Sequence, residues 1–224
     1  LNMIRDASNM NAADEGLYLA VRNKCWLLAG DDGKRTTYDV IDGSNAELDY
    51  HWGYVCRTGD QLLGSATSGE AFFKKYWGQT FWFDAQSGPQ TYQVCSDNLF
   101  SLDPNTGMTQ WQYERGLILN VSITVGDGKL FFLETTDPGV IAGESRRLAA
   151  SDWKKSLHLV CLDQTTGNVL WDKTPELEGG EPSMWLQYAE GRLLLTGSRA
   201  TNDSYYLYGF DPANGNLDWS KSHG

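Results

Sequence analysis

The chain has 224 residues, with 29 Asp and Glu against 18 Lys and Arg, a formal net charge of −11 at pH 7. That balance argues against nucleic-acid binding, which needs clustered cations along the phosphate path, and no apolar run approaches the roughly 20 residues of a membrane-spanning helix. The 24 Gly, 9 Trp and 11 Tyr suit many short strands joined by glycine turns and sealed by aromatic contacts. The chain starts at Leu1 rather than Met, and we expect an excerpt of a longer polypeptide.

The first predicted hairpin is Ala12-Ala-Asp14-Glu15-Gly16-Leu-Tyr-Leu, two apolar strands around an acidic-Gly turn. Cys25-Trp-Leu-Leu-Ala-Gly-Asp-Asp-Gly33 follows, with Ala29 and Thr37 where later copies carry Asp and Trp, so this unit is degenerate and its seam should be the weakest. Cys56-Arg-Thr-Gly59-Asp60-Gln-Leu-Leu opens a second unit, which closes with Leu102-Asp103-Pro-Asn-Thr-Gly107-Met-Thr-Gln-Trp111. A third unit pairs Ile123-Thr-Val-Gly-Asp127-Gly128-Lys-Leu with Leu162-Asp163-Gln-Thr-Thr-Gly167-Asn-Val-Leu-Trp171. The fourth pairs Leu186-Gln-Tyr-Ala-Glu190-Gly191-Arg-Leu with Phe210-Asp211-Pro-Ala-Asn-Gly215-Asn-Leu-Asp-Trp219.

Each fixed letter has a physical reason. The Asp side chain can accept hydrogen bonds from the turn amides, and the Gly four residues later can take the positive φ that closes such a loop. Beyond the Gly the strand alternates, so each Trp points the same way. Before the Asp, the small residues Ser101, Cys161 and Gly209 form a gap in which a neighbouring unit's Trp is expected to dock. Each unit is then a four-stranded antiparallel meander, and the units span approximately 1–42, 43–116, 117–178 and 179–224. Spare length falls between second and third strands, at about 65–94 and 137–156.

The Asp-x-x-Thr-Gly-x-x-x-Trp signature, carried by Asp103, Gly107, Trp111, Asp163, Gly167, Trp171, Asp211, Gly215 and Trp219, resembles the tryptophan-docking repeat of quinoprotein-like (PQQ-repeat) β-propellers. That group holds pyrroloquinoline-quinone (PQQ) alcohol dehydrogenases and many bacterial repeat proteins that bind no quinone. The resemblance implies an all-β fold, a β-propeller of four-stranded antiparallel blades with about four blades present. Family propellers usually have seven or eight, so this is a partial or half propeller, completed by further blades of the parent chain or by a homodimer. It also implies a periplasmic or otherwise exported location. Two departures stand out. The docking position, usually Ala, is Ser101, Cys161 or Gly209, and the adjacent Cys pair that lids the quinone in cofactor-dependent members is absent.

Chemistry-bearing motifs are sparse. His51, His158 and His223 are isolated in sequence, and neither G-x-S-x-G nor H-E-x-x-H occurs. Cys25, Cys56, Cys95 and Cys161 lack C-x-x-C spacing, so no metal site is predicted. They read as core thiols, with a Cys56–Cys95 disulfide the open alternative, and Cys25 is placed at the strand position of Cys161. Gly30-Asp31-Asp32-Gly33-Lys34 occupies a hairpin slot rather than a phosphate loop, and Arg146-Arg147 with Lys154-Lys155 reads as a solvated loop or short helix.

Two surfaces are left as binding candidates. Trp52, Asn120 and Trp185, with Asn9 and near Arg5, Asp6, His51 and Gln187, fall at the starts of innermost strands and would either line a channel mouth for a flat or sugar-like ligand or simply pack it. The first insertion crowds Phe72, Phe73, Tyr76, Trp77, Phe81, Trp82, Phe83 and Tyr92 around Lys74 and Lys75. Of these, Phe73, Tyr76, Trp77 and Trp82 are candidate contacts for a protein partner, because aromatic density of this kind is rarely left in water.

Two functions follow. The first is a non-catalytic PQQ-like propeller repeat domain that serves as a binding or scaffold module for a partner protein or ligand, with no cofactor. The alternative is a portion of a PQQ- and calcium-dependent alcohol dehydrogenase, with Trp52 or Trp185 as the floor beneath the quinone and an unassigned channel Asp as base.

Overall fold

A computed structural model describes residues 10–71, 92–179, 183–199 and 204–224. The first sheet runs in the order β1 (Met10–Ala13), β2 (Gly16–Val21), β3 (Lys24–Ala29), β4 (Arg35–Asp39), each antiparallel to the next. The second is β5 (Tyr50–Thr58) and β6 (Gln61–Ser68), then, beyond β7 (Tyr92–Ser96), β8 (Asn98–Leu102) and β9 (Thr109–Tyr113). In the third, β10 (Leu117–Leu119) and β11 (Thr124–Gly126) both pair with β12 (Lys129–Thr135). After α1 (Pro138–Ile141), β13 (Arg147–Ala149) and α2 (Ala150–Trp153), it continues with β14 (Leu157–Asp163) and β15 (Val169–Lys173). The fourth is β16 (Ser183–Ala189), β17 (Arg192–Arg199), β18 (Ser204–Phe210) and β19 (Leu217–His223). These sheets are blades I to IV.

The chain forms two compact units. One holds Leu1–Phe83, Val94–Arg115 and Glu144–Arg146, with blades I and II; the other holds Asp84–Gln93, Gly116–Gly143 and Arg147–Gly224, with blades III and IV.

Turn chemistry sets the meander. In the inner hairpins of blades III and IV both central residues have positive φ, Asp127 and Gly128 at 50° and 69°, Glu190 and Gly191 at 47° and 73°. This tight turn matches the twist of its strands. In the outer hairpins the Gly107 amide donates to the Asp103 carbonyl at 2.7 Å, and Gly167 and Gly215 repeat the bond to Asp163 and Asp211 at 2.9 and 2.8 Å. The Asp carboxylates then accept from the Asn105, Thr166 and Ala213 amides at 2.7 to 2.8 Å. Blade I closes the same loop without its Asp: Gly33 donates to the Ala29 carbonyl at 3.0 Å, and Asp32 accepts from the Lys34 amide at 2.8 Å.

The expected docking gap is filled differently from the sequence reading. Trp111, Trp171 and Trp219 stand directly across the sheet from Ser101, Cys161 and Gly209 of their own blade. A Cβ on Gly209 would lie 2.4 Å from the Trp219 ring. The small residue is therefore the seat of its own blade's Trp, because a bulge after it brings the Trp opposite it. Cys25 is also displaced from its expected place. It pairs with Tyr38, whereas Leu27 takes the register position of Cys161.

Blade packing follows within each unit. In the first, Tyr18, Cys25, Tyr38, Trp52, Val55 and Phe100 belong to one buried cluster that spans blades I and II. In the second, Tyr188 stacks flat on Phe131 at 5.7 Å and 5° and rests on Gly126, where a Cβ would lie 1.9 Å from its ring. Aromatic pairs at this spacing add about 0.5–1.5 kcal/mol to the area they bury. None of the four cysteines is disulfide-bonded. Burial pushes the thiols of Cys25 and Cys161 up to about 12.

The second insertion departs from a solvated loop. Arg146 is buried and donates from Nε and a terminal nitrogen to both carboxylate oxygens of Asp97, each at 2.7 Å. Arg147 lies over the Tyr92 ring at 6.0 Å.

Candidate functional site

The residues expected at a channel mouth have three different fates. Trp52 is 1% exposed and belongs to the core: its ring meets Phe100 edge-on at 5.0 Å, and Gly64 gives it room, since a Cβ there would lie 2.4 Å away. Strand alternation alone cannot say which face of β5 is covered, and here blade I covers it. Asn120 is buried in a 3₁₀ turn, Asn120–Ser122, that breaks the first strand of blade III into β10 and β11. At this break Ser122 replaces the missing ladder, donating to the Leu119 carbonyl at 2.6 Å and accepting from the Leu133 amide at 2.8 Å. Trp185 alone is open, at 50% exposure. Gln187 is exposed on the same strand, and His51 is buried, its Nε2 3.2 Å from Asp49. Asn9, Arg5 and Asp6 lie outside the described residues, as do Phe72, Phe73, Lys74, Lys75, Tyr76, Trp77, Phe81, Trp82 and Phe83.

Trp185 belongs to an aromatic face that the sequence reading did not assemble. Register places Trp185 opposite Thr196, which pairs with Leu207, and Gln187 opposite Leu194, which pairs with Gly209 beneath Trp219. Tyr205 lies on the same side of β18 as Leu207 and Gly209, by the two-residue alternation of a strand. Tyr205 is 64% exposed and Trp219 37%. The opposite face of blade IV, with Leu193, Leu195, Tyr208 and Phe210, is buried. The run Ser204-Tyr-Tyr-Leu-Tyr-Gly-Phe210 held the signal, because it is aromatic on both faces, and a strand with only one covered face would need apolar residues on one.

The outer strands carry the contacts between blades. The Tyr38 hydroxyl donates to the Pro104 carbonyl at 2.7 Å, so blade I reaches the outer hairpin of blade II. Trp171 donates from Nε1 to the Pro212 carbonyl at 3.2 Å and lies against Gly215, so blade III reaches the equivalent carbonyl of blade IV. Tyr38, not Thr37, thus takes the docking role in the degenerate blade.

His158, isolated in sequence, is not isolated in space. Its Nδ1 lies 2.8 Å from Asp172 and its Nε2 3.2 Å from the Thr136 hydroxyl, tying the β12 end to β14 and β15. Among the described residues no three His, Cys, Asp or Glu side chains are grouped to hold a metal ion. The described residues do not fit a calcium-held quinone. Trp52, offered as its floor, is sealed on both sides, and Trp185 faces outward with Trp219 rather than toward a carboxylate cluster. No helix among the described residues is long and apolar enough to cross a membrane.

Four meanders, glycine hairpins and outer-strand aromatics that dock from blade to blade define a PQQ-like β-propeller protein, in partial form. A family described as "Outer membrane protein assembly factor BamB" matches residues 96–224, and the chain belongs to that family. Solved structures agree on the fold. A quinohemoprotein alcohol dehydrogenase, ADHIIG of Pseudomonas putida HK5, superposes with a TM-score of 0.54 at 13% identity, over 95% of this chain and 34% of that one. A chain of a mitotic checkpoint complex gives 0.56 at 8% identity over 98% and 53%. Apo AztD from Citrobacter koseri gives 0.53 at 8% over 96% and 46%. The chain spans roughly a third to a half of these structures' lengths, and at such identities the likeness is one of fold. No curated protein matches the chain.

Proposed function

We propose that this chain is a non-catalytic propeller module that binds a polypeptide partner in the periplasm, in the assembly of outer-membrane proteins. The observation that carries this reading is family membership over residues 96–224, in a family described by an assembly factor that acts on other proteins. The aromatic crowd of the first insertion supports it: Phe73, Tyr76, Trp77 and Trp82 are the residue types enriched in the desolvated centres of protein interfaces.

The test is fluorescence anisotropy of a labelled outer-membrane β-barrel polypeptide, diluted from urea into the folded chain. We expect saturable binding, weakened at least about tenfold when Phe73, Tyr76, Trp77 and Trp82 are all replaced by Ser, a loss of about 1.4 kcal/mol. Absence of binding by the unaltered chain overturns the reading. A calcium-dependent quenching of Trp fluorescence by added PQQ would favour the dehydrogenase instead.

A further inference from the structure

Blade-to-blade docking in this chain has a donor side and a receiver side, each seen twice. On the donor side, an aromatic residue of the outer strand reaches forward: Tyr38 to the Pro104 carbonyl, Trp171 to the Pro212 carbonyl. On the receiver side, the positive-φ glycine of the next hairpin lies beneath that ring, Gly107 within 3.7 Å of Tyr38 and Gly215 within 2.6 Å of Trp171, measured from an ideal Cβ.

The same chain carries one donor and one receiver that find no counterpart among the described residues. Trp219 has the position of Trp171, opposite the small residue of its blade, yet its indole N–H makes no hydrogen bond with any described residue and its ring is exposed. Gly33, at φ 70°, has the position of Gly107 and Gly215, yet no described atom comes within 4 Å of its Cβ position. The Gly30 carbonyl stands where Pro104 and Pro212 stand. The sheets behind them match as well. Leu17, Leu19, Trp26 and Leu28 of blade I occupy the register positions of Leu193, Leu195, Tyr208 and Phe210 in blade IV. The blade IV set is buried, whereas the blade I set is only half-buried.

We propose that the open face of blade IV, around Trp219, Tyr205 and Trp185, seats blade I of a second copy of this chain, with Trp219 donating to the Gly30 carbonyl and lying on Gly33. A second copy is the occupant because this chain itself supplies both halves of the contact in the register already used twice within it. The contact is heterologous, head to tail, so it either closes a ring of copies or propagates. It rests on the docking geometry and is independent of the proposed polypeptide partner.

The experiment is light scattering coupled to size exclusion on the chain alone, from about 1 to 100 µM. The expected result is a concentration-dependent mass above that of one chain. Tyr205→Arg, at an exposed position, and Trp219→Ser should each raise the dissociation constant at least tenfold while the circular dichroism spectrum is kept. A mixture of Asp31→Cys and Lys221→Cys chains should give an intermolecular crosslink with a short bis-maleimide that neither variant gives by itself. A monomer throughout the range overturns the proposal, and so does an oligomer that Tyr205→Arg leaves intact or that fails to crosslink. Tyr205→Arg keeps the test decisive if Trp219→Ser fails to fold, and loss of β-barrel polypeptide binding with self-association retained would sink only the proposed function.

Discussion

The Tyr38 hydroxyl donates to the Pro104 carbonyl at 2.7 Å, in the relation that Trp171 Nε1 holds to Pro212 at 3.2 Å. A phenol in one blade and an indole in another perform one task, because what the seam needs is a flat apolar body with a donor at its far end. The degenerate first blade thereby keeps its seam without the repeat's Trp.

Tyr38→Phe removes only the donor and leaves the ring stacked on Tyr18 at 6.2 Å. Equilibrium urea unfolding should show a loss of about 1 kcal/mol, the net worth of one hydrogen bond with a little added for the unpaired carbonyl. An unchanged midpoint would mean the hydroxyl bond contributes nothing to the seam.

Trp171→Ala should cost about 3 kcal/mol, near the low end for a large aromatic because the ring is only half-buried. Trp171→Phe, which keeps most of the ring, should recover more than half of that loss. Thermal melts of the two variants side by side separate packing from the Pro212 bond.

Gly215 and Gly33 share a positive φ, 74° and 70°, but only Gly215 lies under a ring. Gly33→Ala should therefore cost about 1–2 kcal/mol, the ordinary penalty of the left-handed region. Gly215→Ala should cost clearly more, since its Cβ would lie 2.6 Å from Trp171. Equal losses would remove the packing argument for Gly215.

The buried Asp97–Arg146 pair predicts asymmetry between breaking and deleting. Arg146→Ala leaves the Asp97 carboxylate buried without its cation and should cost about 3–5 kcal/mol. Adding Asp97→Ala should return a sizeable part of it, a coupling read from a double-mutant cycle. Additive losses would show that the two groups do not depend on each other.

Hydrogen bonding to the carboxylate holds Asp103 below its ordinary value, chiefly through the Asn105 amide, and Asp163 likewise, chiefly through the Thr166 hydroxyl. A carboxylate whose pKa is lower folded than unfolded contributes stability above the unfolded value of about 3.9 and loses it as pH falls through the folded one. Stability followed from pH 5 to pH 2 should therefore fall, and Asp163→Asn should flatten part of that slope. A slope unchanged by the substitution would remove Asp163 from the acid response.

Periodicity exposed what is local. The alternation around Leu162 and Trp171, the Asp163 and Gly167 turn and the matching turns at Asp103 and Asp211 identified strands, hairpins and repeat without help from the rest of the chain. Side-chain partners were not legible in the same way. The seat of Trp219 depended on a bulge at Gly209 that shifts the pairing by one residue, and a one-residue shift has no signature in composition. His158 met Asp172 and Thr136 only because β12, β14 and β15 lie side by side.

Trp52 and Trp185 mark the limit most clearly. Both are tryptophans on the first strands of their blades, and by sequence both were candidates for a ligand surface. The covering of blade II by blade I sealed Trp52 against Phe100, while the outward face of blade IV kept Trp185 open. Sequence by itself determined the blades, because turn φ angles and strand alternation are properties of a few neighbouring residues. Tertiary structure decided which aromatic groups became core and which became surface, because burial depends on the element packed across the sheet, and that element lies far away along the chain.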